Sequence, residues 1–482
     1  MKRYISIVVL LTTLCVSCKN KTNPQDTVNP VKNRLESYME ECHENGLSAS
    51  VLVAKDGEIL YSGGVGLRNK AENLPVTDET IFTIGSLTKQ FTATAILKLQ
   101  EEGKLSVNDS IYHFFENVPK DKQNITIHQL LTHTSGIVGN LGYGVDFVPI
   151  TKEEFLSEMY HSPLDSEPGK EFSYSNVGYS ILAMIIEKVA QTDYETYLQE
   201  NLFQKAGMKH TGYLFPKWDT TQIAHGYKCG EDWGTLLMKW KADSNQISWH
   251  LKGNGGILSN PSDLYKWYIA LKENKIISEK SFEQLTFPYV KENESGDSYY
   301  AYGWTIMNSD RNTKMIAHNG SNGVFYADFI QLPVENSVII YMTNELRYDT
   351  QIVAWEIEQI LFNEDYTPIV PKMKSIKHGN TDTTTKQLEI IHQFVELILT
   401  DDENIDDFIN EYVASKERER RFKMWMKDMQ KEFLGYRLKH ILEYGDMSYD
   451  IVLESKEGIV VDLTPCFDLQ FNESNQIVAF GW

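Results

Sequence analysis

The sequence predicts an α+β fold: an antiparallel sheet flanked by helices, with an all-helical region inserted between its strands. Three observations carry this prediction. Strand-like segments stand at both ends of one long unit, "LSASVLVA" and "ILYSGGVG" at 47–66 and "KMIAHNG", "GVFYADFIQL" and "SVIIYMTN" at 314–344. The chain between them is dominated by helical spacing of apolar residues. A helix that is apolar on nearly every side leads into that region, and a helix without a wet face is a buried central one.

Taken in order, the first hairpin rests on Asp56-Gly57 between two apolar runs, a strong two-residue turn signal. The buried helix follows in "FTIGSLTKQFTATAILKLQEEGKL", with Leu87, Phe91, Ala93, Ala95, Ile96, Leu97 and Leu99 spread around it and Gly103 ending it. From about Ile127 to Ala206 helices alternate with loops, and Ile181, Leu182, Ile185, Ile186 and Val189 keep helical spacing. After Trp218 the chain is loop-rich, with no readable code from Gly226 to His250. "NGGILSNPSDLYKWYIAL" resumes a helix with Ser262-Asp263 as cap and first-turn residues. Strands return from Tyr300, two of them joined by "PVEN", and "TQIVAWEIEQILF" closes the unit as a helix.

The ends of the chain set the domain organisation. Lys2 and Arg3 precede an apolar run from Ile5 to Val16, the layout of a secretory signal and shorter than the ~20 residues of a membrane span. The run leads into Cys18 and resembles a bacterial lipobox, which makes Cys18 a candidate lipidated first residue; Cys15 stands where leucine is commoner. The expected order is a signal peptide with lipobox at 1–18, a polar tether at 19–33, a large α+β domain at 34–365, a linker at 366–385 and a small α+β accessory domain at 386–482. In that last part 388–399 and 403–434 read as helices and four later segments as strands. Cys42, Cys229 and Cys466 are scattered without CxxC spacing, so they read as ordinary buried thiols rather than a disulfide framework or zinc site. Lysine plus arginine total 46 against 67 aspartate plus glutamate, a formal charge of −21 over 482 residues. That sign repels nucleic acid and anionic lipid.

Three separated stretches carry candidate chemistry. In Ser86-Leu87-Thr88-Lys89 the serine and lysine share one helix face; a lysine in apolar surroundings loses its charge readily, and a serine beside a neutral amine is a potential nucleophile. In "PGKEFSYSNVGYSIL" the Tyr174 hydroxyl can share a proton with such an amine, and the Asn176 carboxamide both donates and accepts. In His318-Asn319-Gly320-Ser321 the glycine lets a ligand lie along a strand edge, and the following N–H can face an oxyanion.

The order SxxK, YxN, HxG, together with "LLTHTSGI", "GGILSNPSDL", "YGWTI" and "HNGSNGVFYADF", resembles the serine β-lactamase and penicillin-binding-protein superfamily. Tyrosine in the second motif is similar to its class C β-lactamase, D,D-peptidase and esterase branch. The resemblance covers roughly Leu47 to Leu361 and implies a β-lactamase/transpeptidase-like fold. It makes Ser86 the acylated nucleophile, with Lys89 and Tyr174 sharing the acid–base work and either of them the base. Asn176 then holds the substrate amide, the N–H groups of Ser86 and Ser321 form the oxyanion hole beside Gly320, and His318 supports Tyr174 and the substrate carboxylate. Lysine is usual at the His318 position in β-lactamases, and a histidine there is expected to titrate near neutrality. The expectation is therefore a secreted or lipid-anchored serine hydrolase using neither metal nor cofactor, acting on amides or esters and favouring peptides that contain D-amino acids. An esterase or weak β-lactamase, and a non-catalytic peptide or β-lactam sensor, are the alternatives. Small-molecule or peptide substrates are the expected partners, with no nucleic acid, no obligate protein partner, and membrane attachment only through the lipid. The C-terminal helices and strands look similar to a small NTF2-like cone.

Overall fold

The computed structural model describes residues 29–142, 146–243, 246–294, 296–379, 385–400, 404–414, 416–444, 447–454 and 466–481. The proposed signal peptide, its Cys18 and most of the tether lie outside these residues. The described chain begins with a helix, Pro30–Glu44, which occupies the last part of the stretch read as tether. Asn29 caps it by accepting from the Val31 N–H, Pro30 sits in its first turn, and Leu35, Tyr38, Met39 and Cys42 form its buried stripe.

Eight strands form one antiparallel sheet. Its order is Glu58–Val65, Ala49–Lys55, Ser337–Thr343, Tyr326–Leu332, Lys314–Ser321, Thr305–Asn308, Tyr299–Tyr300 and Val290–Lys291. The Asp56-Gly57 turn has both residues at positive φ, 53° and 81°, as a two-residue hairpin requires. Ala49–Lys55 pairs with Ser337–Thr343 in the register Val51↔Tyr341 and Val53↔Ile339. The first and last parts of the domain are thereby stitched together across the helical insertion, as the sequence predicts.

Alternation decides which core each strand residue enters. Leu52, Ala54, Val338, Ile340 and Met342 join the core shared with the buried helix and the insertion. Val51, Val53, Ile339 and Tyr341 join a second core under the helices Pro30–Glu44 and Val353–Phe362. The sheet is thus covered on both faces, which explains why its central strands have no polar face.

The buried α-helix begins two residues after Ser86, the residue with which the motif opens it. Gly85–Leu87 is a 3₁₀ turn and Thr88–Glu101 the α-helix, with Phe91, Ala93, Ala95, Ile96, Leu97 and Leu99 all buried. Asn260 rather than Ser262 caps the later helix Pro261–Lys272. Asp263 is buried there and accepts from the His210 N–H and the Thr211 hydroxyl. In the stretch without readable code, a hairpin (Gly226–Lys228 with Glu231–Gly234) and a helix (Leu236–Asp243) form.

A separate core organises the C-terminal part: helices Lys386–Leu399, Ile405–Tyr412 and Lys416–Phe433 pack on a five-stranded antiparallel sheet. Its edge strand, Ser375–His378, lies inside the stretch read as linker and pairs with Arg437–Tyr444. The rest of that stretch is fastened to the body: Arg34 donates to the carbonyls of Asn363 and Tyr366, and Tyr38 to that of Ile369. Polar composition alone gives no sign of such anchoring. Cys42 is a free buried thiol, whereas Cys229 is disulfide-bonded, which corrects its reading as a thiol. Pairing depends on which elements meet in space, and spacing along the chain did not reveal it.

Candidate active site

Two close backbone approaches build the site. Gly320, on the strand Lys314–Ser321, lies against the turn that carries Ser86: a Cβ at position 320 would stand 2.0 Å from the Ile84 carbonyl oxygen and 2.7 Å from the Ser86 nitrogen. Gly85 answers from the other side. Its φ is +51°, and a Cβ there would stand 2.4 Å from the Ser321 nitrogen. Only glycine tolerates either contact, and together they hold the backbone nitrogens of Ser86 and Ser321 side by side. The sequence reading singled out Gly320 and missed Gly85.

One helical turn on, the Lys89 side chain is fully buried. Its Nζ lies 3.0 Å from Ser86 Oγ, 2.8 Å from Asn176 Oδ1 and 2.8 Å from the Asn254 carbonyl oxygen. No carboxylate lies within ion-pairing distance of it among the described residues. Desolvation drives the amine well below its ordinary pKa, offset in part by the charge of Asp146, so the neutral form is favoured. A neutral amine has two hydrogens and one lone pair. Carbonyl and carboxamide oxygens only accept, so the two hydrogens go to Asn176 and Asn254 and the lone pair faces the Ser86 hydroxyl.

Asn176 opens the helix Asn176–Ala190, which Ser175 caps through the Gly178 N–H. The cap fixes the backbone just after Tyr174, and the Asn176 amide nitrogen donates to Asn140 Oδ1 at 3.0 Å. Tyr174 lies 4.7 Å, ring centre to Nζ, from Lys89. The residue is 36 % exposed, while its hydroxyl interacts with Ser86 and Tyr300. Burial of that hydroxyl pushes its pKa up and outweighs its hydrogen bonding with Ser86, so the phenol keeps its proton at neutral pH. The two shifts oppose each other: lysine gives up charge and tyrosine declines it.

A shell of neutral aromatic and imidazole groups positions Tyr174. His133, at φ 56° and fully buried, packs against its ring, centroids 4.2 Å apart and planes tilted by 37°, and accepts from the Ser175 N–H at 3.0 Å. Tyr300 bonds His318 Nε2 at 3.0 Å, and His318 Nδ1 donates to the Asn319 carbonyl. His318 is itself buried. Desolvation first and the nearby Lys89 second lower its pKa to about 4, so it is neutral at pH 7, which corrects the expectation of a group titrating near neutrality. It braces Tyr174 through Tyr300 and presents no positive charge.

Ser86, Lys89, Tyr174, Asn176, His318, Gly320 and Ser321 therefore meet, although they come from three distant stretches. Asn254, His133, Tyr300 and Asp146 join them and were not picked out as site residues. The run "GNGGI" around Asn254 was the available signal, since clustered glycines mark close backbone approach. Among the described residues no group of three or more His, Cys, Asp or Glu side chains is arranged to hold a metal ion, and no helix is long and apolar enough to cross a membrane.

The fold is that of the β-lactamase/transpeptidase class, and its cleft sets a seryl hydroxyl beside a buried amine. Residues 31–360 match the family described as Beta-lactamase, and the chain belongs to that family, within the β-lactamase and penicillin-binding-protein superfamily. The chain is similar to penicillin-binding protein 4* of Bacillus subtilis (strain 168), 28 % identical over 340 residues that span 66 % of this chain and 73 % of the relative. The crystal structure of a penicillin binding protein from Bacillus halodurans superposes with a TM-score of 0.57 at 27 % identity, covering 68 % of this chain and 98 % of that one. An octameric penicillin-binding protein homologue from Pyrococcus abyssi shares the fold over 92 % of this chain and 96 % of its own, with a TM-score of 0.60 and 23 % identity. Membership supports serine-hydrolase activity on amide or ester bonds.

Proposed function

We propose that the protein hydrolyses amide or ester bonds through an acyl-enzyme on Ser86, with Lys89 as the base and Tyr174 as the group that returns the proton. The observation that carries this reading is the position of the Lys89 amine, 3.0 Å from Ser86 Oγ and 2.8 Å from each of two acceptor oxygens, which leaves the lone pair of the neutral amine for the Ser86 hydroxyl. Ser86 Oγ attacks the carbonyl carbon and its proton passes to Lys89 Nζ. The carbonyl oxygen takes up the negative charge between the N–H groups of Ser86 and Ser321. When the C–N or C–O bond breaks, Tyr174 protonates the leaving group and is reprotonated from Lys89. Water then repeats the sequence on the ester, releasing the acid and free Ser86. One missing oxyanion donor is worth ~2.7–4 kcal/mol of barrier.

Peptides carrying D-amino acids remain the favoured substrates, in keeping with relatives named as penicillin-binding proteins. A neutral His318 offers no cation for a β-lactam or C-terminal carboxylate, which favours esters and amides lacking one over efficient β-lactam turnover. Export with lipidation at Cys18 completes the reading, as does an accessory role for a C-terminal unit of NTF2-like type. A fluorophosphonate or fluorescent penicillin is expected to label the protein covalently, and Ser86→Ala to abolish both labelling and p-nitrophenyl ester hydrolysis. Retained hydrolysis in Ser86→Ala would refute the acyl-enzyme route. Binding without any turnover in the native protein would leave the sensor alternative standing.

A further inference from the structure

Behind the strand that carries His318 and Gly320, the sheet holds a buried carboxyl group that the reaction does not use. Asp328, on the strand Tyr326–Leu332, is 3 % exposed. Alternation sets it with Tyr326, Ile330 and Leu332 on the face that packs under the helices Pro30–Glu44 and Val353–Phe362. Among the described residues no cation pairs with it, and its Oδ2 has no hydrogen-bond partner. Burial raises its pKa to about 8, so at neutral pH it stands as the uncharged acid. A buried polar group without its full set of partners is costly, and an apolar side chain would suit this face better. Such local conflicts collect at functional sites.

The other oxygen points to what the group does. Asp328 Oδ1 accepts from the Tyr326 hydroxyl at 3.1 Å, and that hydroxyl accepts from Asn319 Nδ2 at 3.4 Å. Asn319 stands opposite Asp328 in the strand register, while its neighbour His318 stands opposite Phe329, which belongs to the other face. Asn319 links the two faces, because its carbonyl oxygen accepts from His318 Nδ1 at 2.5 Å. That bond fixes the tautomer. With the proton on Nδ1, Nε2 is left as an acceptor for the Tyr300 hydroxyl at 3.0 Å, and Tyr300 meets the hydroxyl of Tyr174. A continuous polar chain therefore crosses the sheet, from Asp328 to the group that delivers the proton.

We propose that Asp328 is a positioning residue for the reaction at Ser86: by holding Tyr326 and Asn319 it orients the His318 ring and, through Tyr300, seats the Tyr174 hydroxyl. This inference rests on the reading of Tyr174 as the proton donor to the leaving group and adds the residue that keeps it in place. No proton travels along the chain; each hydrogen bond sets the angle of the next. Misplacing a catalytic group by about 1 Å costs about 10²-fold in rate, and a loosened seat costs part of that.

The test compares phenyl acetate with p-nitrophenyl acetate on the purified full chain, since phenolate is the poorer leaving group and leans more on protonation by Tyr174. Asp328→Leu and Tyr326→Phe are each expected to lower kcat/KM for phenyl acetate by ~10-fold and for p-nitrophenyl acetate by less than ~3-fold. The double variant should be no worse than either single one, because both cut the same chain. Asp328→Asn, whose carboxamide oxygen still accepts from Tyr326, should keep the native ratio between the two esters. Equal loss on both esters, additive losses in the double variant, or an Asp328→Asn protein that behaves like Asp328→Leu overturns the inference. Should Asp328→Leu fail to fold, Tyr326→Phe and Asp328→Asn decide it by themselves. Ser86-dependent hydrolysis that none of these changes moves refutes this inference while leaving the hydrolase reading in place, whereas absence of any Ser86-dependent hydrolysis refutes that reading too.

Discussion

Two regions of this protein bury a basic side chain, and they do so in opposite ways. At the seam with the C-terminal unit, Arg347 is surrounded by partners: Asp450 Oδ2 at 2.9 Å, Ser448 Oγ at 2.8 Å, and the face of the Tyr444 ring. Asp450 in turn accepts from the Tyr444 hydroxyl at 2.9 Å. In the cleft, Lys89 meets no carboxylate within ion-pairing distance among the described residues, only neutral oxygens. A buried cation with a counter-ion keeps its charge and joins surfaces. A buried amine among neutral acceptors gives up its proton and becomes a base. The contrast separates structure from chemistry more sharply than burial alone, since both side chains are nearly inaccessible.

Removing the Lys89 amine should have the largest effect and the most discriminating one. Lys89→Met is expected to lower kcat/KM by about 10³-fold, in the range of lost acid–base catalysis, while raising stability by on the order of 1 kcal/mol, as relief of a destabilised active site does. The folded-state pKa of Lys89 is depressed, so below the unfolded value of 10.5 the unfolded chain binds the extra proton and native stability rises with pH. The advantage of Lys89→Met should therefore shrink as pH climbs toward 10.5, which thermal melts of both proteins across that range would show. A destabilised Lys89→Met protein would mean that Lys89 is held as a structural cation like Arg347.

Gly320→Ala should come next. Its new Cβ would collide with the Ile84 carbonyl and crowd the Ser86 nitrogen, so the turn and the strand must part. A loss of about 10²-fold in kcat is expected, with a stability cost of about 1–3 kcal/mol for overpacking. Stopped-assay kinetics and denaturant melts check the two halves. Unchanged kcat would show that the Ser86 and Ser321 nitrogens do not act as a pair.

The smallest effect on chemistry should come from the seam. Arg347→Met takes the counter-ion from a buried Asp450, and breaking such a pair costs about 3–5 kcal/mol, expressed as loosening of the C-terminal unit. Limited proteolysis should cut that unit sooner, while kcat/KM for p-nitrophenyl acetate stays within about threefold. A parallel collapse of activity would show that the seam holds the cleft in shape, through the hairpin tip that Lys439 grips at Glu231, and that Arg347 serves the chemistry as well as the structure.

Much of this was readable from residues in order. The hairpin at Asp56-Gly57, the all-round apolar helix after Ser86 and the strands returning after Tyr300 each state their structure locally, through turn chemistry and periodicity. The three motifs named Ser86, Lys89, Tyr174, Asn176 and Gly320 because their residue types are chemically specific. Other features left weaker traces. Ser375–His378 is a strand only because Arg437–Tyr444 offers it an edge. His133 has its role from packing against Tyr174, and Asp146 from the cleft wall it shares with Ser86.

What the sequence determined by itself, then, was the inventory: which segments bury both faces, where the chain turns, and that a hydroxyl, an amine and a phenol were available. Tertiary structure alone decided their states. Whether Lys89 is charged, whether His318 titrates near 7 or at about 4, and whether Cys229 is a thiol or half of a disulfide all depend on the surroundings each group meets after folding. Desolvation and proximity are properties of three-dimensional packing, and a linear order of residues carries neither.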